Sequence, residues 1–300
     1  MNTSVPRHAA HSGALGCPVL AAPAHWHTLD FISDLHLQAC QADTFAAWQD
    51  FMQTTQADAV FILGDMFEVW VGDDIISPQP RSAPPGSEPD PFLGFETRCT
   101  QILKAASERL DLFFIPGNRD FLVGPVFAKA CGMTLLADPC VLDFDGERWL
   151  LSHGDALCLL DTGYQEFRTQ VRSQLWQQKF LQRPLSERQE IAQQLRVQSE
   201  THKNLGIVYA DVDAAATCHW LQDAQASTLL HGHTHRPADH DLGGGLRRMV
   251  LSDWDATANP PRTEVLRLHL TLAPAQIHGV TIERLPLSAV TDQAAQGDVN

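Results

Sequence analysis

Six short apolar runs, at residues 29–32, 59–63, 112–115, 149–151, 228–230 and 249–251, are each followed within two or three positions by aspartate, histidine or asparagine. Runs this short, apolar at nearly every position, suit strands buried on both faces, and the polar residues then fall in the loops at the strand ends. Helical stretches at 44–54 and 95–109 separate the early runs. Alternating strands and helices predict an α/β layered fold with its loops gathered along one rim.

The remaining segments fit around that frame. A main domain is expected over 27–285, with 1–26 a disordered extension in which Pro18 and Pro23 interrupt a mildly apolar stretch. Residues 77–91, rich in proline, glycine and serine, predict a surface loop, and 286–300 a flexible tail. Residues 164–203 read as an inserted pair of helices broken at Pro184, with Ser186 and Gln189 as a capping box for the second. Tyr164, Phe167, Val171, Leu175 and Leu181 share one face of the first, and Arg168 and Arg172 lie on another.

Charge and cysteine content narrow the chemistry. Thirty-six acidic residues against 21 basic ones give a net charge of −15. A long polyanion needs a basic track, so no nucleic-acid partner is expected. A small phosphorylated substrate stays compatible, because bound divalent cations reverse the local field. Seven cysteines are scattered with no C-x-x-C spacing, which predicts small buried thiols in a reducing, cytoplasmic compartment. No run approaches the length of a membrane-spanning helix.

Five of the runs deliver metal-ligand residue types: Asp34-Leu35-His36, Gly64-Asp65, Gly117-Asn118-Arg119-Asp120, His153-Gly154-Asp155 and His231-Gly232-His233-Thr234-His235. Singly each is weak, since Gly-Asp and Gly-Asn are ordinary turn dipeptides. Together they offer Asp34, His36, Asp65, Asn118, His153, His231 and His233 as candidate ligands. Mixed imidazole and oxygen donors suit Mn²⁺, Fe²⁺, Co²⁺ or Zn²⁺, and seven donors are too many for one such ion. They suit two ions sharing a carboxylate.

In this order the motifs resemble the calcineurin-like metallophosphoesterase superfamily. The resemblance implies a four-layer α/β/β/α sandwich and a dinuclear centre, with Asp34, His36, Asp65 and His233 around one metal. Asp65, Asn118, His153 and His231 would surround the other, Asp65 bridging. Two close metals activate water and neutralise the attacked phosphoryl oxygens, so no protein nucleophile is required. Arg119 stands where many members of the superfamily carry histidine. A guanidinium cannot act as a general acid, but it can clamp phosphate, which favours a leaving group that is itself a phosphate.

Longer strings, among them 61–74, 117–124, 153–158, 161–168 and 231–237, resemble the branch of this superfamily that cleaves the pyrophosphate of a lipid-linked UDP-sugar. The resemblance covers about residues 28–256 and implies Mn²⁺ as cofactor, with Arg119, Asp65 and His231 in the catalytic group. It implies Asn118, Arg119, Asp161, Ser199, Lys203 and His231 as substrate contacts, and 164–203 as a helical lid over acyl chains. Asp161 equally suits an N-cap. A monomer touching the cytoplasmic face of the inner membrane is expected. Competing expectations are a pyrophosphatase for soluble nucleotide-sugars or dinucleoside polyphosphates, a phosphoprotein phosphatase, and a non-catalytic scaffold.

Overall fold

A computed structural model describes residues 16–76, 94–204, 210–271 and 279–297, with only the backbone described at 197–204 and 293–297. One six-stranded sheet is built on three parallel strands, β2 (Thr28–Ile32), β3 (Ala59–Leu63) and β4 (Asp111–Ile115). On one side β5 (Met133–Leu135) extends it, and on the other β11 (Glu264–Leu270) and β12 (Val280–Pro286) complete it. The second sheet runs in the order β1 (Val19–Ala21), β6 (Cys140–Phe144), β7 (Glu147–Ser152), β8 (Thr228–His231), β10 (Leu246–Val250) and β9 (Ala238–Gly243).

Strand alternation explains how the sheets stack. Ala59, Phe61 and Leu63 of β3 face the second sheet and pack with Leu142, Trp149, Leu151 and Leu230. Val60 and Ile62 face the other way, onto helices. Phe31, Phe61 and Phe113 lie in register across β2, β3 and β4, with ring centroids 4.9 and 4.7 Å apart. The outer face of this first sheet is covered by α1 (Ala42–Thr54), α2 (Phe95–Ala106), α3 (Pro125–Cys131) and α8 (Leu287–Gly297). The outer face of the second is covered by α7 (Ala214–Ala224), through Leu221 and Ala224. The result is the expected α/β/β/α order.

Two boundaries differ from expectation. Residues 16–26 belong to the fold: β1 pairs in parallel with β6, and Trp26, 2% exposed, sets its ring edge-on to Phe61 and Phe113. Pro18 and Pro23 flank a strand at a sheet edge, where proline is tolerated. The supposed tail 286–300 opens on Pro286, the last residue of β12, and continues as α8, held by the buried side chain of Val290. Residues 1–15 and 77–93 lie outside the described residues, so the loop expected at 77–91 does too.

The insertion holds three helices: α4 (Thr162–Val171), α5 (Gln174–Leu181) and α6 (Leu185–Asn204). Ser173 makes the extra break by accepting the amide of Trp176 as N-cap of α5. Ser186 lies inside α6 and is not its cap. Among the described residues no helix is long and apolar enough to cross a membrane.

Candidate active site

The expected ligand residues meet where the two sheets present the same ends. Asp34 and His36 follow β2, Asp65 follows β3 and Asn118 follows β4, while His153 follows β7 and His231 closes β8. Asp34 is fully buried, and its carboxylate accepts the His233 amide at 2.9–3.1 Å and the Ser33 hydroxyl at 2.6 Å. Asn118 Oδ1 lies 3.0 Å from His153 Nε2 and 2.9 Å from His233 Nδ1. Asp65 Oδ1 accepts the Arg119 amide at 2.8 Å and stands 3.6 Å from His153 Nε2. Donors from both sheets thus share one pocket.

The imidazoles are oriented from behind. His153 Nδ1 lies 2.9 Å from the Leu63 carbonyl, which turns Nε2 toward the carboxylates. His231, in register with Ser152 and fully buried, sets Nδ1 2.8 Å from the Gly232 carbonyl. Its Nε2 is buried with no hydrogen-bond partner among the described residues. Such a nitrogen is costly unless something binds it.

The backbone is strained where the donors sit. Asp34, His36, Asp65, His233 and His235 all have φ between 46° and 67°. Each such left-handed residue costs on the order of 1 kcal/mol or more and persists because its surroundings hold it. Asp120 supplies part of that hold: buried behind the donors, it accepts the amides of Gly117 at 2.7 Å, Phe67 at 3.2 Å and Asp65 at 3.3 Å. At Gly117 a Cβ would collide with the Asp65 carboxylate, so only glycine fits that turn.

Charge follows from crowding. Burial opposes protonation of His153, yet Asp65, Asp34 and Asp155 outweigh it and push the imidazole up to about 9. Burial holds His231 down to about 3 and His233 down to about 4, leaving both neutral and able to ligate. The Asp34 carboxyl resists burial because His235, His153 and His36 hold it far below the usual carboxylate range. Buried carboxylates, neutral imidazoles and an unpartnered His231 Nε2 make a donor set that fits divalent cations.

Among the described residues two groupings lie close enough to hold an ion, Asp34–His36–His235 and Asp34–Asp65–His153, each with its ligand atoms within 4.8 Å of one another. Asp34 is common to both, whereas Asp65 is the expected bridge. His235, not among the expected ligands, has Nε2 3.2 Å from both Asp34 Oδ1 and His36 Nε2. Its place in the 231–235 string was the available signal. Glu68 was also missed: its carboxylate lies 3.0 Å from His36 Nδ1 and 3.4 Å from Arg119 Nη1. Embedded in an apolar run, it carries no sequence mark of a site.

Of the other expected contacts, Arg119 lines the same pocket, and Asp161 both lines it and caps α4 by accepting the Tyr164 amide at 3.0 Å. The side chains of Ser199 and Lys203, on α6, lie outside the described residues. Arg168 and Arg172 point inward. Arg168 Nε donates to the buried Asp155 at 2.8 Å, and Arg172 donates to the Gly117 carbonyl at 2.9 Å. Tyr164 adds a 2.5 Å hydrogen bond to Asp155. Two side chains of α4 and its C-cap residue Arg172 therefore pin the helix beside the donors.

A cavity of about 720 Å³ opens from the donors. His36, Asp65, Asn118 and His233 line one end, and Phe121, Leu122, Phe167, Trp176, Phe180 and Leu195 line an apolar region reaching under the inserted helices. The Trp176 and Phe180 rings stack at 4.7 Å.

This chain belongs to the calcineurin-like phosphoesterases, a family of hydrolases whose pattern matches residues 27–237. It is 45% identical over 235 residues to the UDP-2,3-diacylglucosamine hydrolase of Aeromonas hydrophila, an alignment covering 75% of this chain and 89% of that one. Proteins of the same name from Shewanella pealeana and Aromatoleum aromaticum are each 42% identical, covering 75% of this chain and 89% and 88% of theirs.

Proposed function

We propose that this protein hydrolyses the pyrophosphate bond of UDP-2,3-diacylglucosamine, giving UMP and 2,3-diacylglucosamine 1-phosphate (lipid X) for lipid A assembly. The cavity carries this reading, because one continuous space joins an end suited to phosphate to an apolar region lined by Phe121, Phe167, Trp176 and Phe180. A soluble nucleotide-sugar would leave Phe167, Trp176, Phe180 and Leu195 without a role in binding. The names of the relatives point the same way.

Two Mn²⁺ ions held by Asp34, His36, Asp65, Asn118, His153, His231 and His233 would supply an activated water and Lewis-acid stabilisation of phosphoryl charge. The chain's own groups handle the rest. Arg119, anchored by its amide to Asp65 and facing the cavity, binds phosphoryl oxygens and offsets the charge that develops on them. Water adds to the UMP-side phosphorus, and the bond to the bridging oxygen breaks. That oxygen leaves with the sugar phosphate, stable without a proton, so a permanently charged arginine suffices where an alcohol would need an acid. Helices α4, α5 and α6 act as a lid that covers the acyl chains. Their outward apolar residues, Leu160 (82% exposed, at the entry to α4) and Leu175 (64%), support contact with the cytoplasmic face of the inner membrane.

Incubation with UDP-2,3-diacylglucosamine and Mn²⁺ in ¹⁸O-water tests substrate and attack together. The label is expected in UMP, with lipid X unlabelled. Label in lipid X would reverse the site of attack, and brisk cleavage of soluble nucleotide-sugars without turnover of the lipid would refute the substrate.

A further inference from the structure

The stretch after β3 runs beside the stretch after β2, with Leu37 bridging to Phe67 and the Glu68 amide donating to the Leu37 carbonyl at 3.2 Å. That pairing brings the Glu68 side chain, 12% exposed, against the face of His36 opposite the donor cluster. Oε2 stands 3.0 Å from His36 Nδ1, near but off the in-line hydrogen-bond direction. Oε1 lies 3.3 Å from Arg196 Nε and 3.4 Å from Arg119 Nη1. One carboxylate therefore meets a metal-ligand imidazole, the phosphate-binding guanidinium and a side chain of the inserted helix α6.

Among the described residues, two arginines of helix α6 reach the body. Arg188, 1% exposed, donates to the Val71 carbonyl and pairs with Asp74. Two turns further on, Arg196 reaches Glu68 and also lies 3.3 Å from Gln38 Oε1. Of these two arginines, Arg196 is the one whose carboxylate partner also meets His36 and Arg119. A carboxylate behind a ligating histidine fixes which nitrogen carries the proton and raises the donor strength of the other. The same carboxylate cannot shift without loosening Arg196, and α6 cannot lift without pulling on the partner of His36.

We propose that Glu68 is a positioning residue that couples divalent-cation binding at His36 to closure of helix α6 over the cavity. Coupling of this kind is reciprocal: cation binding tightens α6, and weakening the α6 contact weakens the cation. The test uses metal-free full-length protein, Mn²⁺ as the probe and no substrate, so its failure would leave the proposed reaction untouched. Calorimetry measures Mn²⁺ affinity, and hydrogen exchange follows the backbone amides of residues 185–196, with and without Mn²⁺.

In the unaltered protein Mn²⁺ should slow exchange along α6. Glu68→Gln, nearly the same shape, should weaken Mn²⁺ by roughly tenfold and abolish that slowing. Arg196→Ala, which removes the α6 side of the contact with Glu68, should also abolish the slowing and lower Mn²⁺ affinity by a smaller factor. Equal exchange of α6 with and without Mn²⁺ in the unaltered protein would overturn the coupling. So would wild-type Mn²⁺ affinity in Glu68→Gln, or weakened affinity there with no effect of Arg196→Ala on either readout.

Discussion

At the scale of single residues, two arginines show how position decides what a charge does. Arg267 is buried against the buried carboxylate of Asp30, at 2.7 and 2.9 Å, and Thr55 donates to the same carboxylate at 2.7 Å. A buried pair adds little net stability, but removing one partner leaves the other's buried charge less well compensated. Asp30→Ala should therefore cost about 3–5 kcal/mol, read as a lower urea midpoint, and a loss below 1 kcal/mol would show that the guanidinium finds water. Arg119, by contrast, faces the cavity. Arg119→Ala should lower kcat/KM by roughly 100-fold with little change in stability, and Arg119→Lys should recover only part of it because the two-pronged donor is gone. Full activity of the alanine variant would remove the phosphate role.

At the scale of elements, the question is what fastens the inserted segment to the sandwich. Asp161 caps α4, and asparagine caps as well as aspartate, whereas alanine costs about 1 kcal/mol. If Asp161 also touches substrate, Asp161→Asn should keep the melting temperature and raise KM; unchanged KM would leave it a cap alone. On the return to the sandwich, Arg248 of β10 donates to Asp211 at 2.7 and 3.1 Å. That hydrogen bonding, partly opposed by burial, lowers the Asp211 carboxyl from 3.8 to about 2. The folded value lies below the unfolded one, so the contribution is complete above about pH 4 and is lost as pH falls toward 2. With the side chain 43% exposed, screening keeps it under about 1 kcal/mol. Asp211→Asn should narrow the difference between unfolding midpoints at pH 4 and pH 2; an unchanged difference would show the pair has no weight.

These same elements mark how far the sequence could be read. β3 occupies the expected residues and β2, β4, β7 and β8 lie within a residue or two of theirs, because unbroken apolar runs ending in ligand residues have few other ways to fold. Six of the seven expected ligands, Asp34, His36, Asp65, Asn118, His153 and His233, are drawn together by contacts of their side chains or backbone, and His231 is buried beside them at the end of β8. What stayed hidden depends on distant partners. β1 is three residues long and gains its identity only by pairing with β6, and α8 is anchored by one buried valine. Glu68 acquires a role only when the β2 and β3 ends are laid side by side. The third helix of the insertion turned on a single serine, Ser173, whose cap competes with an otherwise continuous helical pattern.

At the scale of the whole molecule, the donors are a liability until they are filled. Asp34 and Asp65 are buried among imidazoles, with the His231 Nε2 nitrogen unpartnered. A ligand that binds only the folded state stabilises it by about 2.7 kcal/mol at 100 times its dissociation constant. Mn²⁺ added to metal-free protein should therefore raise the melting temperature by several degrees, and a chelator should reverse it. A melting temperature indifferent to both would mean that the cations do not reside at these residues. The five left-handed residues along this rim carry a related consequence for anyone breeding hardier versions of the enzyme. Glycine adopts such angles freely, so a screen that rewards heat resistance alone would drift toward glycine at His36, His233 or His235. The hardiest survivors of that screen would be the poorest hydrolases.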